Sequence, residues 1–206
     1  MHRVSLLIIL VLVEGGSAMA IEKAKYRVVE SEGDFELRSY DASIVAETLV
    51  EGDFDKVANE GFRRLVAYIN GKNRKKQSIA MTAPVTQEAR SEKISMTAPV
   101  GQERVGGSWR ITFLMPSRYR LETLPEPLDE RIALTEVPGR WMAVVRYSGT
   151  WSQKRYEEKR ALLMGWIRSR GWSSFGSPVW ARYDPPFMPW FLRRNEIQVA
   201  VEEPSS

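Results

Sequence analysis

The sequence predicts an α+β fold: a curved antiparallel sheet or distorted β-barrel, duplicated about a pseudo-two-fold axis and carrying two main helices. Three observations lead there. Apolar and polar residues alternate through several short stretches, as strands with one buried face require. Two longer stretches switch to helical spacing. The halves also align at a constant offset of 97, which sets Gly52 on Gly149, Phe54 on Trp151, Leu65 on Leu162 and Ile69 on Trp166.

Taken in chain order, the first segment is not part of the fold. Arg3 leads into the apolar run Val4 to Val13, and Ala18 and Ala20 then stand in the small-x-small spacing that signal peptidase requires. Ten apolar residues fall short of the roughly 20 that cross a bilayer. The expectation is a signal peptide over residues 1–20 and a single domain over residues 21–206, periplasmic or secreted. An uncleaved N-terminal anchor is the alternative, and Glu14 just beyond the apolar run weighs slightly toward it.

Residues 26–50 read as extended, with Phe35 and Leu37 alternating with Glu36 and Arg38 before the β-branched run from Ser43 to Val50. Asp53 is a good N-cap, the helical stripe Phe54, Val57, Phe62, Leu65, Val66 and Ile69 follows it, and Gly71 stops the helix. Next come two nearly identical phrases, IAMTAPV from Ile79 and ISMTAPV from Ile94, separated by a polar stretch of hairpin size. Pro84 and Pro99 cannot donate to a ladder, so each belongs at a sheet edge or strand end. Trp109, Ile111, Phe113 and Met115 alternate in another strand, and a proline-rich linker spans LETLPEPLDE. Two further strands cover residues 132–148, and a second helix runs from a Thr or Ser cap to Gly171.

Composition excludes several chemistries. The chain of 206 residues has no cysteine, so disulfides, thiolate nucleophiles and cysteine metal sites are absent. Its one histidine is His2, inside the segment expected to be removed, which excludes serine–histidine catalysis and a proximal-histidine haem from the mature chain. Loss of residues 1–20 takes away Arg3 and Glu14 together, so the net charge stays at +4. No stretch interleaves basic and aromatic residues as a nucleic-acid groove does. Enzymatic acid–base work would fall to groups such as Glu47, a carboxylate in an otherwise apolar strand.

FELRSY, AYINGKN, the doubled MTAPV, FLMPSRY and ARYDPPFMPWFLRRNEI occur in this order across nearly the whole mature chain. In these motifs the sequence resembles the SOUL/haem-binding protein family. The resemblance implies a distorted β-barrel of two similar halves and binding of haem or a related tetrapyrrole in an apolar cleft beside the first helix. The haem-ligating histidine of one branch has no counterpart here. Where the histidine-free branch places basic residues, this chain has Asn59, Ala67 and Met188, with Arg63 and Arg64 one turn away.

A histidine-free haem site needs an apolar slot, cations for the propionates and, optionally, a weak axial ligand. The expected slot has Val66, Ala67 and Tyr68 on one side and Phe187, Met188 and Trp190 on the other, with Arg63 as the cation. Met188 is the thioether candidate for the metal and Tyr183 the phenolate alternative. Arg193, Arg194 and Glu196 read instead as a structural ion cluster, and Met96 as core. The expected function is non-enzymatic carriage or buffering of haem. A ligand-sensing or protein-interaction module, binding another flat hydrophobic molecule or a partner, is the alternative.

Overall fold

The computed structural model describes residues 21–75 and 91–204. The expected signal peptide, the first MTAPV copy with Met81 and Pro84, and residues 86–90 of the segment joining the copies lie outside these residues. The chain enters through β1 (Glu22–Lys23), β2 (Tyr26–Glu32), β3 (Phe35–Tyr40) and β4 (Ser43–Val50), then forms α1 (Phe54–Ile69). There follow β5 (Asn73–Arg74), β6 (Thr97–Ala98), β7 (Val100–Val105), β8 (Ser108–Leu114), β9 (Glu126–Pro127), β10 (Ile132–Val137) and β11 (Arg140–Tyr147). Helix α2 (Gln153–Ser169), β12 (Ser174–Arg182), a 3-10 turn at Trp190–Leu192 and β13 (Asn195–Val201) complete it.

Nine strands pair antiparallel in the order β10-β4-β8-β7-β12-β13-β11-β3-β2. This is the expected curved antiparallel sheet with two helices, but β10 and β2 remain separate edges, so the sheet does not close into a barrel. Exchanging β3 with β10, β4 with β11, β7 with β12 and β8 with β13 reverses the order of the first eight strands onto itself. Pro99 sits between β6 and β7, where its missing donor costs no ladder bond. The proline-rich linker is not structureless: β9 pairs with β5, and Leu124 is buried.

Both helices lie on one face of the sheet, α1 over β4 and β8, α2 over β11, β12 and β13. Alternation puts Ala46, Val50, Ile111, Phe113, Trp180, Ile197 and Val145 on that face, in one continuous core. Phe54 stacks on Trp180 at 4.8 Å and meets Trp109 edge-on at 5.2 Å. The helices also end alike. Gly71 and Lys72 donate to the Tyr68 and Ala67 carbonyls, and Gly171 and Trp172 donate to those of Arg168 and Ile167. Each glycine takes a positive φ, 109° and 70°, as this stop demands. Asp53 is the N-cap of α1 by position, yet its side chain makes no capping bond and pairs with Lys56 at 3.1 Å instead.

The fixed offset of 97 fails inside the helices. It holds at Gly52 and Gly149, with φ 129° and 134°. It then pairs buried Leu65 with Leu162, which is 54% exposed, whereas Leu163 is fully buried. α1 begins two residues after Gly52 and α2 four residues after Gly149, and the buried register of the second helix moves by one position, about 100° on a helix.

Candidate functional site

The second face of the sheet is buried as well, and it carries charge. Arg38 projects from β3 and Glu196 from β13, and both are fully buried. Arg38 Nη1 and Nη2 donate to the two carboxylate oxygens of Glu196 at 2.9 and 3.0 Å. Arg194 Nη2 donates to Glu196 Oε1 at 2.7 Å, the Tyr183 hydroxyl to Oε2 at 2.9 Å, and Gln198 Nε2 to Oε2 at 2.8 Å. Burial alone would raise the Glu196 carboxyl. The Arg38 and Arg194 guanidiniums outweigh it and hold the group below its ordinary value. Burial and the Glu196 charge push the Tyr183 phenol far above its own. This is the expected ion cluster, with Arg38 in place of Arg193.

Arg193 turns the other way. Its Nε donates to the Met188 carbonyl at 2.8 Å and its Nη2 to the Pro186 carbonyl at 2.5 Å, while the guanidinium lies 4.4 Å from the Trp151 ring centroid. Arg182 also lies over Trp151, at 5.1 Å from the ring centroid. Trp151 Nε1 donates to Asn195 Oδ1 at 2.8 Å, and Asn195 Nδ2 reaches the Gly149 carbonyl at 3.2 Å. The loop from Asp184 to Arg193 is thus tied at its base, with Asp184 Oδ2 accepting the Arg194 N–H at 2.5 Å.

Between this loop and α1 lies an apolar cleft of about 300 Å³. Ala58, Asn59 and Phe62 form the helix wall, Met96 to Ala98 and Val100 a second wall, and Tyr183 to Phe187 the third, with Trp151 and Arg182 also in the lining. Thr97 Oγ1 donates to the Leu114 carbonyl and so anchors the second MTAPV copy beside it.

Of the residues expected at the site, Tyr183 and Phe187 line this cleft. The hydroxyl of Tyr183 is committed to Glu196, so it is not available as a phenolate ligand. Val66 is half-buried against the core. Arg63 and Ala67 border a separate charged groove with Glu60, Lys72, Asp129 and Arg131. Arg64 is held by Thr48, the Leu49 carbonyl and Glu60. Met188 donates its N–H to the Pro185 carbonyl and is not in the cleft lining, and Trp190 is 57% exposed outside it. The helix wall therefore sits two turns nearer the N-terminus than expected. Met96, read from the sequence as core, is half-buried against the core and also lies in the lining. The repeat that flagged the second MTAPV as structural was also the signal for the cleft's second wall.

Among the described residues no group of three or more His, Asp or Glu is placed to hold a metal ion. Glu47 is not a solitary inward acid, because Arg110 lies 3.3 Å from it and Thr135 donates to it at 3.2 Å.

Human heme-binding protein 2 is 26% identical over 197 residues, covering 89% of this chain and 91% of that protein. Heme-binding protein 1 of Xenopus laevis is 27% identical over 166 residues, with 79% and 81% covered. Among solved structures, the EcmrR C-terminal domain superposes with a TM-score of 0.54 at 15% identity, over 86% of this chain and 98% of that one, which is a likeness of fold. The family model for the SOUL heme-binding protein matches residues 21–200, and the chain belongs to that family.

Proposed function

We propose that this protein binds haem or a related flat tetrapyrrole in the cleft between α1 and the Asp184–Arg193 loop, without histidine ligation and without catalysis. The carrying observation is the cleft itself: aliphatic and aromatic walls with Arg182 in the lining, in a member of a haem-binding family. Its volume of about 300 Å³ is at the low end for small-molecule sites, so a macrocycle would seat with one edge in solvent. That suits exposed propionates and reversible carriage.

The residues fit such a group. Phe62, Val100, Pro186 and Phe187 would supply apolar contact, and Met96 would offer a soft sulfur donor to the iron. Bound haem would contribute its own absorption and iron chemistry; the protein contributes shape, exclusion of water and the Arg182 cation.

Hemin titration of the purified protein is the test. A Soret shift saturating at one equivalent is expected. Asn59→Trp, which puts a ring into the cleft from an exposed helix position, should weaken binding about tenfold or more, roughly 1.4 kcal/mol. Met96→Ala should move the Soret band, and Met188→Ala should not. A featureless titration, or equal effects of the two methionine variants, would remove this reading.

We also propose that the protein acts outside the cytoplasm after loss of residues 1–20, on the strength of the apolar run and the Ala18-x-Ala20 spacing. N-terminal sequencing of protein released by osmotic shock should begin at Ile21. Retention in the cytoplasmic fraction with Met1 intact would contradict it.

A further inference from the structure

The loop that walls the cleft on its inner side is itself strongly apolar on its outer side. Phe187 is 86% exposed, and Trp190, Phe191 and Leu192 are each more than half exposed. Trp190 and Phe191 pack edge-on at 5.6 Å, forming one patch rather than scattered side chains. Pro185, Pro186 and Pro189 stiffen the chain here, and the Arg193 bonds to the Pro186 and Met188 carbonyls fix it from beneath. Four large apolar side chains held outward at one tip need an explanation beyond folding, since none of the described residues covers them.

Leu192 also borders a second feature. An open cleft of about 620 Å³ beside the tip is lined by Arg146, Arg155, Lys159, Arg193 and Arg194, against the carboxylates of Asp34 and Glu36. Arg146 pairs with Glu36 at 3.4 Å and Arg194 with Glu196 at 2.7 Å. Among the described residues no carboxylate lies within ion-pair distance of Arg155 or Lys159. Lys159 rests 5.9 Å from the Tyr147 ring centroid. The cluster thus keeps a positive excess next to the aromatic tip.

We propose that this tip docks on an anionic lipid bilayer, with Phe187, Trp190, Phe191 and Leu192 entering the interface and the Arg155–Lys159 cluster facing the headgroups. A tryptophan with a wet edge is suited to the headgroup boundary. An apolar anchor of this size gives only marginal, reversible attachment by itself, and a basic patch beside it supplies the second signal that such attachment requires. A protein partner would take the aromatics equally well, but would not require an adjacent basic cluster in excess over its carboxylates. The occupant chosen is the one that uses both features.

The test uses the full chain with vesicles of phosphatidylcholine alone or mixed with phosphatidylglycerol, each with and without brominated acyl chains. Brominated lipid should quench tryptophan emission in the anionic vesicles, and Trp190→Phe should remove most of that quenching. The N-terminal run is common to both proteins, so this difference does not depend on it. A double charge reversal, Arg155→Glu with Lys159→Glu, should weaken vesicle binding about tenfold at low ionic strength and much less at high. Undiminished hemin binding in both variants would show that they are folded. The proposal is overturned by quenching that is equal in wild type and Trp190→Phe, or by indifference to lipid charge. Absent quenching with concentration-dependent self-association would also overturn it, assigning the patch to a second copy of the chain.

Discussion

The carboxylate of Glu196 accepts from two arginines, a tyrosine and a glutamine with no solvent contact. A saturated cluster like this is costly to break from one side, because the partner left behind is a buried, under-compensated charge. Arg38→Ala should therefore destabilise the fold by about 3–5 kcal/mol. The pH dependence follows from the lowered Glu196 carboxyl. Its contribution is complete above its ordinary value near 4.5 and is lost as pH falls through the folded value. Urea midpoints should stay nearly level from about pH 7 to 5 and fall below that. Glu196→Gln should be weaker at neutral pH but show a shallower acid slope; identical slopes would mean that other carboxylates carry the acid limb. Arg194 and Glu196 were legible as a cluster because they stand two apart in sequence. Arg38 stands 158 residues away from Glu196, and only strand pairing brings it there.

At the scale of elements, strands and helices were readable because each buries one face, and alternation or helical spacing records that face directly. What spacing does not record is how a helix is rolled on its sheet. In α1 that is set by Gly61, where an added Cβ would lie 2.4 Å from Ile111 Cγ1 and 2.7 Å from its Cβ. The glycine gives up helix propensity, roughly 1 kcal/mol against alanine, and lets the helix backbone approach β8 closely. With Gly61 against the sheet, Ala58 and Phe62 border the cleft, while Val66 and Ala67 are carried off the cleft wall. The cleft adjoins the helix and the loop that the sequence reading named, on turns of the helix nearer its N-terminus. A lone glycine inside an amphipathic stripe was the signal, and its meaning depends on a side chain 50 residues away. The two-residue β9 was hidden for a similar reason: its partner β5 lies beyond any local window, and Pro125 precedes it while Pro127 is one of its own residues.

Across the whole molecule, the strand order is symmetric but the connections are not. Strands β7 and β8 are joined by a tight turn at Gly106 and Gly107, with Val105 facing Ser108. Their counterparts β12 and β13 are joined by the long loop from Tyr183 to Arg194. That loop reaches across to α1, whereas the short turn offers nothing comparable to α2, so a symmetric scaffold presents one cleft of this kind. The asymmetry predicts one ligand per chain and identifies the loop as its source. Tyr183 N–H already donates to the Arg194 carbonyl, closing the hairpin at its base. Replacing residues 184–193 by Asn-Gly should therefore leave a two-residue hairpin compatible with the sheet. Because Tyr183 and Arg194 are kept, the Glu196 cluster is kept as well. The expected protein retains its far-UV circular dichroism and a cooperative melt, and gives no saturable Soret shift with hemin. Saturable binding that survives the excision would place the ligand outside this cleft. On the other face of the sheet Tyr40, Met142 and Gln198 border a space of only about 90 Å³, too little for a macrocycle without opening the strands, so binding there would show up as a large change in amide exchange across β3 and β13 on ligand addition.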